Sequence, residues 1–185
     1  MRLKAKVKLG NNLPSKKIKI GILGGTFDPA HKGHLEISKK AKKKFNLKYI
    51  IWAITKKNPF KKKTKFELQK RIKLAKKIIA TKKFIKVKFY ENIINSNRTI
   101  DLINYIQKNK RLNLYFIMGA DNLIDFHKWY KSKSISKKCN ILVFDRHGYK
   151  AKSLKSITFK QLRKKKLEFI KFKKVNISSS QLRKI

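Results

Sequence analysis

The stretch Gly21 to His34, GILGGTFDPAHKGH, decides how this chain folds. Ahead of it stand Ile18, Ile20, Ile22 and Leu23, a short apolar run that stops at Gly24-Gly25 and reads as a buried strand. Behind it, residues 33–45 space Leu35, Ile37, Ala41 and Phe45 among lysines, the pattern of an amphipathic helix. Strand, glycine-rich turn and helix follow one another within one short segment. Gly24 and Gly25 predict a tight turn whose backbone a ligand can approach with no Cβ in the way. Pro29 fixes the loop. The helix beginning near Gly33 turns its first N–H groups the same way, which predicts an anion site made of backbone.

The alternation continues outward from there. Tyr49 to Ile54 reads as a strand and Asn58-Pro59 as a loop. Residues 64–80 read as a helix with Thr64 as its cap, and Phe84 to Phe89 as a strand. Thr99 to Lys108 reads as a helix, followed by strands at Leu112 to Met118, Asn140 to Phe144 and Leu167 to Phe172. Ser178 to Ile185 opens a last helix. Strands that alternate with helices predict an α/β fold, a doubly wound parallel sheet with helices on both faces. Ligands in such sheets lie beyond the carboxyl ends of the strands, where Gly24 to His34 falls. Residues 1–16, MRLKAKVKLGNNLPSK, read as a loose basic arm, and 17–185 as a single domain.

Composition bounds the class. The chain has 185 residues, with 41% hydrophobic and 11% aromatic content, enough for a core in one domain and against a disordered chain. No apolar run approaches the ~20 residues of a membrane span, and no apolar signal segment opens the chain. One cysteine, Cys139, leaves no internal disulfide. A cytoplasmic protein without a membrane partner is the expectation. The net charge of +43 would suit a basic nucleic-acid-binding protein. The residues behind it point elsewhere. There are 45 lysines against 7 arginines, and Lys, Ile, Asn and Phe, all with A/T-rich codons, make up 94 of the 185 residues. The lysines are dispersed, whereas phosphate-reading surfaces favour the bidentate fork of Arg. Coding bias explains the charge, and no specific nucleic acid is expected.

In such a chain, clustered Gly, His and acidic residues stand out. Residues 21–34 hold four of the seven glycines, two of the four histidines and one acid, Asp28. His31 and His34, three apart at a helix start, can donate to phosphate oxygens. As a metal pair they would need a third ligand, and only His127 and His147 remain, so no protein-held metal is expected. Asp28 shapes its loop on this reading, with no part in the chemistry.

GGTFDPAHKGH, Gly24 to His34, resembles the signature of the nucleotidylyltransferase superfamily, a glycine-rich turn followed by H-x-G-H. ISSSQLR, Ile177 to Arg183, resembles that superfamily's second signature. The resemblance implies an ATP site built from Gly24, Gly25, Thr26, Phe27, His31, His34, Asp121, Ser179, Ser180 and Arg183. In it His34, His31 and Arg183 carry catalysis. Physically, Ser178 can cap a helix with Gln181 as its capping-box partner, and the Ser179 and Ser180 amides then face an anion.

Three further segments are similar to nicotinate mononucleotide adenylyltransferases: YFIMGADNLIDFHKWY at 115–130, NRTIDL at 97–102 and KKNPFK at 56–61. By this similarity Trp129 stacks on the pyridine ring and Thr99 contacts the nicotinate carboxylate. Lys61 and Arg146 approach the mononucleotide phosphate, and Asp121 reaches a ribose or the adenine side. Trp129 also reads as a core residue, and Thr99 and Asp121 as helix caps. Phe60 stands where many members carry His, and Arg98 where Tyr is usual. The activity implied is adenylyl transfer from ATP, with Mg²⁺ carried on it, to nicotinate mononucleotide, giving deamido-NAD and pyrophosphate. The alternative acceptors are nicotinamide mononucleotide and phosphopantetheine.

Overall fold

The structure, a computed structural model, describes residues 17–57, 64–162 and 166–172. Six strands run parallel in one sheet: β1 (Ile18–Gly25), β2 (Tyr49–Ile54), β3 (Ile85–Phe89), β4 (Leu112–Gly119), β5 (Asn140–Phe144) and β6 (Leu167–Ile170). Their order is β3-β2-β1-β4-β5-β6. The doubly wound fold expected from the alternation is the fold found.

Period-two alternation explains how the core divides. Ile20, Ile22, Ile51 and Ala53 project to one face of the sheet and Leu23, Ile50, Trp52 and Ile54 to the other, all buried. The second face is covered by α1 (Lys32–Phe45) and α2 (Leu68–Ile79) through Ala41 and Ala75. The first is covered by α4 (Thr99–Ile106), α5 (Ala120–Asp125) and α6 (Ser132–Lys138), through Ile100, Ile103, Leu123 and Ile135. β2 is buried almost end to end, as a central parallel strand must be. β3, on the sheet edge, exposes Lys86 and Lys88, which discourages pairing with a further strand.

Several short helices carried no periodic sequence signal. These are α5 and α6, together with α3 (Glu91–Ile94), α7 (Lys150–Lys155) and α8 (Ile157–Leu162). Four to seven residues complete too few turns for a 3.6-residue period to show. β6 ends at Ile170, two residues before the expected limit. Thr64 does not cap α2: Glu67 holds that position, without a side-chain bond. The reason is tertiary. The Lys65 and Phe66 amides are drawn onto the Asp28 carboxylate at 2.8 and 3.0 Å, which bends the chain and delays the helix to Leu68. The expected arm 1–16 and terminal helix 178–185 lie outside the described residues. Among the described residues no helix is long and apolar enough to cross a membrane.

Candidate active site

β1 pairs with β2 on one side and β4 on the other, so the chain leaves the middle of the sheet in opposite directions and a crevice opens above the β1 and β4 ends. The signature segment lies there. Gly24 and Gly25 do not make the turn themselves: they are the last residues of β1, and neither has a positive φ. The turn comes at Phe27, with φ 48°. A bulky residue in that conformation costs on the order of 1 kcal/mol and needs packing to hold it. Its buried ring stacks on Trp52 at 5.1 Å and lies against His34 at 4.8 Å between centroids. The Phe27 conformation thereby sets one wall of the histidine site.

His31 is the N-cap of α1, and the two histidines form a reciprocal capping box. Nδ1 of His31 accepts the Gly33 N–H at 3.1 Å, and Nδ1 of His34 accepts the His31 N–H at 3.2 Å. The imidazoles thus take up the His31 and Gly33 amides at the helix start where the sequence predicts a backbone anion site. An accepting Nδ1 carries no proton, so each ring is the Nε2–H tautomer. The rings lie 3.9 Å apart between centroids. Burial, helped by the positive charge of Arg146, lowers the His31 pKa to about 4, so the ring is neutral at physiological pH.

A brace beneath these rings was not legible in the sequence. Trp52 Nε1–H donates to Ser38 Oγ, and the Ser38 hydroxyl donates to the His34 carbonyl, both at 2.8 Å. Arg71, only 2% exposed, donates to the carbonyls of Thr26 at 2.6 Å, Thr55 at 2.8 Å, Lys56 at 3.1 Å and Phe66 at 3.0 Å. It ties the signature turn to the ends of the loop after β2. Asp28 shapes its loop, as expected, by accepting the Lys65 and Phe66 amides. Being one of only seven arginines was the one signal Arg71 offered.

Asp121 and Arg146, expected in different halves of the site, form an ion pair at 2.6 Å. Asp121 does not cap α5; Gly119 does. A Cβ on Gly119 would lie 2.5 Å from Asp121 Oδ1, so glycine is required for the carboxylate to fold back there. The Arg146 charge also reaches His31, where it adds to burial in keeping that imidazole neutral.

Thr99 opens α4 as its first residue, behind an Arg98 N-cap that makes no side-chain cap bond, so Thr99 is not the cap. Trp129 follows a single 3₁₀ turn, Phe126–Lys128. Half-buried, it lies tilted against Phe126 and nearly perpendicular to Phe116, at centroid distances of 5.3 and 6.1 Å. It is therefore anchored in the core margin while keeping an accessible surface. Beside it Tyr130 is 50% exposed, and the Arg98 guanidinium lies 4.1 Å from its ring centroid. Lys61, Phe60, Ser179, Ser180 and Arg183 lie outside the described residues. Among the described residues, no three His, Cys, Asp or Glu side chains gather into a metal-holding group.

The cytidylyltransferase-like family profile matches residues 22–185. A probable nicotinate-nucleotide adenylyltransferase of Pelagibacter ubique is 72% identical over 179 residues, covering 97% of this chain and 99% of that protein. A probable nicotinate-nucleotide adenylyltransferase of Clostridium botulinum is 35% identical over 89% of this chain and 84% of its own length. In fold, the chain is similar to Plasmodium falciparum nicotinic acid mononucleotide adenylyltransferase complexed with NaAD. The TM-score is 0.73 at 24% identity, over 90% of this chain and 83% of that one.

Proposed function

The chain belongs to the cytidylyltransferase-like family and to its nicotinate-nucleotide adenylyltransferases, and from that membership we propose how its own residues perform adenylyl transfer. The enzyme joins nicotinate mononucleotide to the adenylyl group of ATP in NAD biosynthesis. ATP enters as its Mg²⁺ complex, the metal keeping its waters instead of filling a protein cage. A phosphate oxygen of the mononucleotide attacks the α-phosphorus. The bond from that phosphorus to the bridging oxygen breaks, and pyrophosphate leaves. The nucleophile is already ionised, since phosphomonoesters have a second pKa of about 6, and no general base is needed. Catalysis is positioning and charge stabilisation.

The observation that carries this reading is the reciprocal cap of His31 and His34. It turns two neutral imidazoles into Nε2–H donors of defined tautomer at the end of β1, suited to the α/β-phosphate oxygens where charge develops. Gly24 and Gly25 end β1, and Thr26 and Phe27 lead the chain into the turn, the segment that ATP approaches. Arg146, held by Asp121, supplies a fixed cation for the mononucleotide phosphate. Ser179, Ser180 and Arg183 take the β/γ-phosphates by their likeness to the second signature, and Lys61 the mononucleotide phosphate. Thr99 and Trp129 flank the pyridine ring.

The test supplies MgATP with nicotinate mononucleotide, nicotinamide mononucleotide or phosphopantetheine in parallel. Pyrophosphate and the dinucleotide are then quantified. Highest kcat/KM with nicotinate mononucleotide supports the reading. Preference for phosphopantetheine, or pyrophosphate release without a dinucleotide product, overturns it.

A further inference from the structure

We propose that Trp52 and Ser38 are positioning residues for adenylyl transfer that act through His34, the indole fixing both the backbone and the ring of that histidine. The proposal rests on the role given to His34 above and extends it to two residues beneath the site. Both side chains are fully buried, at 0% exposure, so neither can reach a substrate itself.

Trp52 projects from β2 towards α1, and Ser38 stands four residues after His34 on that helix. The indole N–H donates to Ser38 Oγ, and the Ser38 hydroxyl donates to the His34 carbonyl, both at 2.8 Å. A serine hydroxyl has one proton, so its orientation is settled: it accepts from Trp52 and gives its proton to His34. Bonds chained in this way strengthen one another in a buried setting. A phenyl ring against an alanine would pack β2 on α1 with no polar atom to satisfy. A hydroxyl bonded four residues back also slightly weakens a helix. What the polar pair provides in return is direction, because it ends on the backbone of the histidine.

The rings supply the second restraint. Trp52 stacks on Phe27 at 5.1 Å between centroids and meets the His34 ring edge-on at 6.0 Å. Phe27 in turn lies 4.8 Å from His34. The third restraint is the His31 N–H on Nδ1. His34 is therefore fixed at its carbonyl, at its ring and at Nδ1, and two of these three restraints lead to Trp52. A donor to developing charge works only from the right place, and a shift of ~1 Å can cost ~10²-fold in rate. Such a loss falls on kcat, since the interaction is stronger in the transition state than in the bound substrate.

The experiment measures kcat, both KM values and melting curves for Ser38→Ala, Trp52→Phe and the double variant, each made in wild-type and in His34→Ala enzyme. All rates are taken well below the transition temperature of each protein. Ser38→Ala and Trp52→Phe are each expected to lower kcat about 10-fold in the wild-type background, with both KM values within about three-fold. In the His34→Ala background the same changes should alter kcat by less than about two-fold, because the residue they act through is gone. The double variant should lose about as much kcat as the worse single one, not the product of the two. NMR signals of the His34 imidazole should move in Ser38→Ala with no substrate present. Unchanged kcat in both single variants overturns the proposal. So do equal losses in the two backgrounds, which packing alone would give, and in either case the functional reading stands. A wild-type enzyme that forms no dinucleotide from MgATP and nicotinate mononucleotide would overturn the functional reading, and the proposal with it.

Discussion

Nδ1 of His34 accepts the backbone N–H of His31 at 3.2 Å, so the ring is positioned by the helix start it helps to cap. Structure and chemistry share one bond: the contact that closes the first turn of α1 also decides which nitrogen carries the proton. His34→Ala should lower kcat by ~10²–10³, the usual cost of losing one donor to a developing oxyanion. The KM for ATP should change much less. Steady-state kinetics at saturating mononucleotide check this, and a kcat within a few-fold of wild type would sink the leaving-group role.

His31 gives a pH dependence with a definite sign. Burial first, and the Arg146 charge second, lower its pKa from 6.5 in the unfolded chain to about 4 in the native state. Above pH 6.5 both states are neutral and the full stability is present. As the pH falls from 6.5 towards about 4, the unfolded chain takes up a proton that the native state refuses, and stability is lost. His31→Asn keeps a good N-cap without the titration, so its melting temperature should fall less steeply across that window. Arg146→Gln should move the His31 pKa upward, measurable by NMR of the imidazole protons. An unmoved pKa would show that Arg146 does not act on His31.

Arg71 is expected to matter for stability and for catalysis together, because its four carbonyl acceptors belong to two loops of the site. Arg71→Met removes the donors and leaves buried carbonyls without them, costing about 2–4 kcal/mol. Denaturant unfolding should report that loss. A kcat decrease measured well below the transition temperature should accompany it, since Thr26 adjoins the strained Phe27. Unchanged stability would mean that water replaces the guanidinium.

Trp129 packs at the core margin, and the proposed pyridine contact adds a second role that a single variant can test. A stacked cationic ring is worth ~1–2 kcal/mol when desolvated, so Trp129→Ala should raise the mononucleotide KM about 5–30-fold. The contacts with Phe116 and Phe126 also predict a lower melting temperature. Trp129→Phe should recover part of both. A destabilised enzyme with an unchanged mononucleotide KM would leave the indole as a packing residue only.

Cys139 is fully covered, and burial pushes its thiol up to about 12, with Sγ donating to the Ile135 carbonyl at 3.1 Å. The thiolate is the reactive form. Alkylating reagents at pH 8 should therefore label the native enzyme far more slowly than the urea-unfolded chain, as mass spectrometry would report. Rapid labelling of the native protein would refute this burial.

The sequence alone determined the strand–helix alternation, the parallel sheet, and the position of the signature at a strand end. These follow from local periodicity: β2 reads as a strand because YIIWAI is apolar throughout, and α1 as a helix because its apolar residues recur on one side. His31 and His34 were legible for the same reason, being close in sequence and in a rare residue context. Only the tertiary structure decided how these residues are held. The Arg71 bonds span from 5 to 45 residues, the Asp121–Arg146 pair spans 25, and Arg98 meets Tyr130 from a different element. No local pattern encodes such contacts, because chain order does not say which side chains will share a crevice. The sheet order does: placing β4 beside β1 brings the segment after β4 to the crevice that the signature turn borders. Even the first turn of α1 needed that frame, since the Phe27 conformation beside it is held by Trp52 on the neighbouring strand.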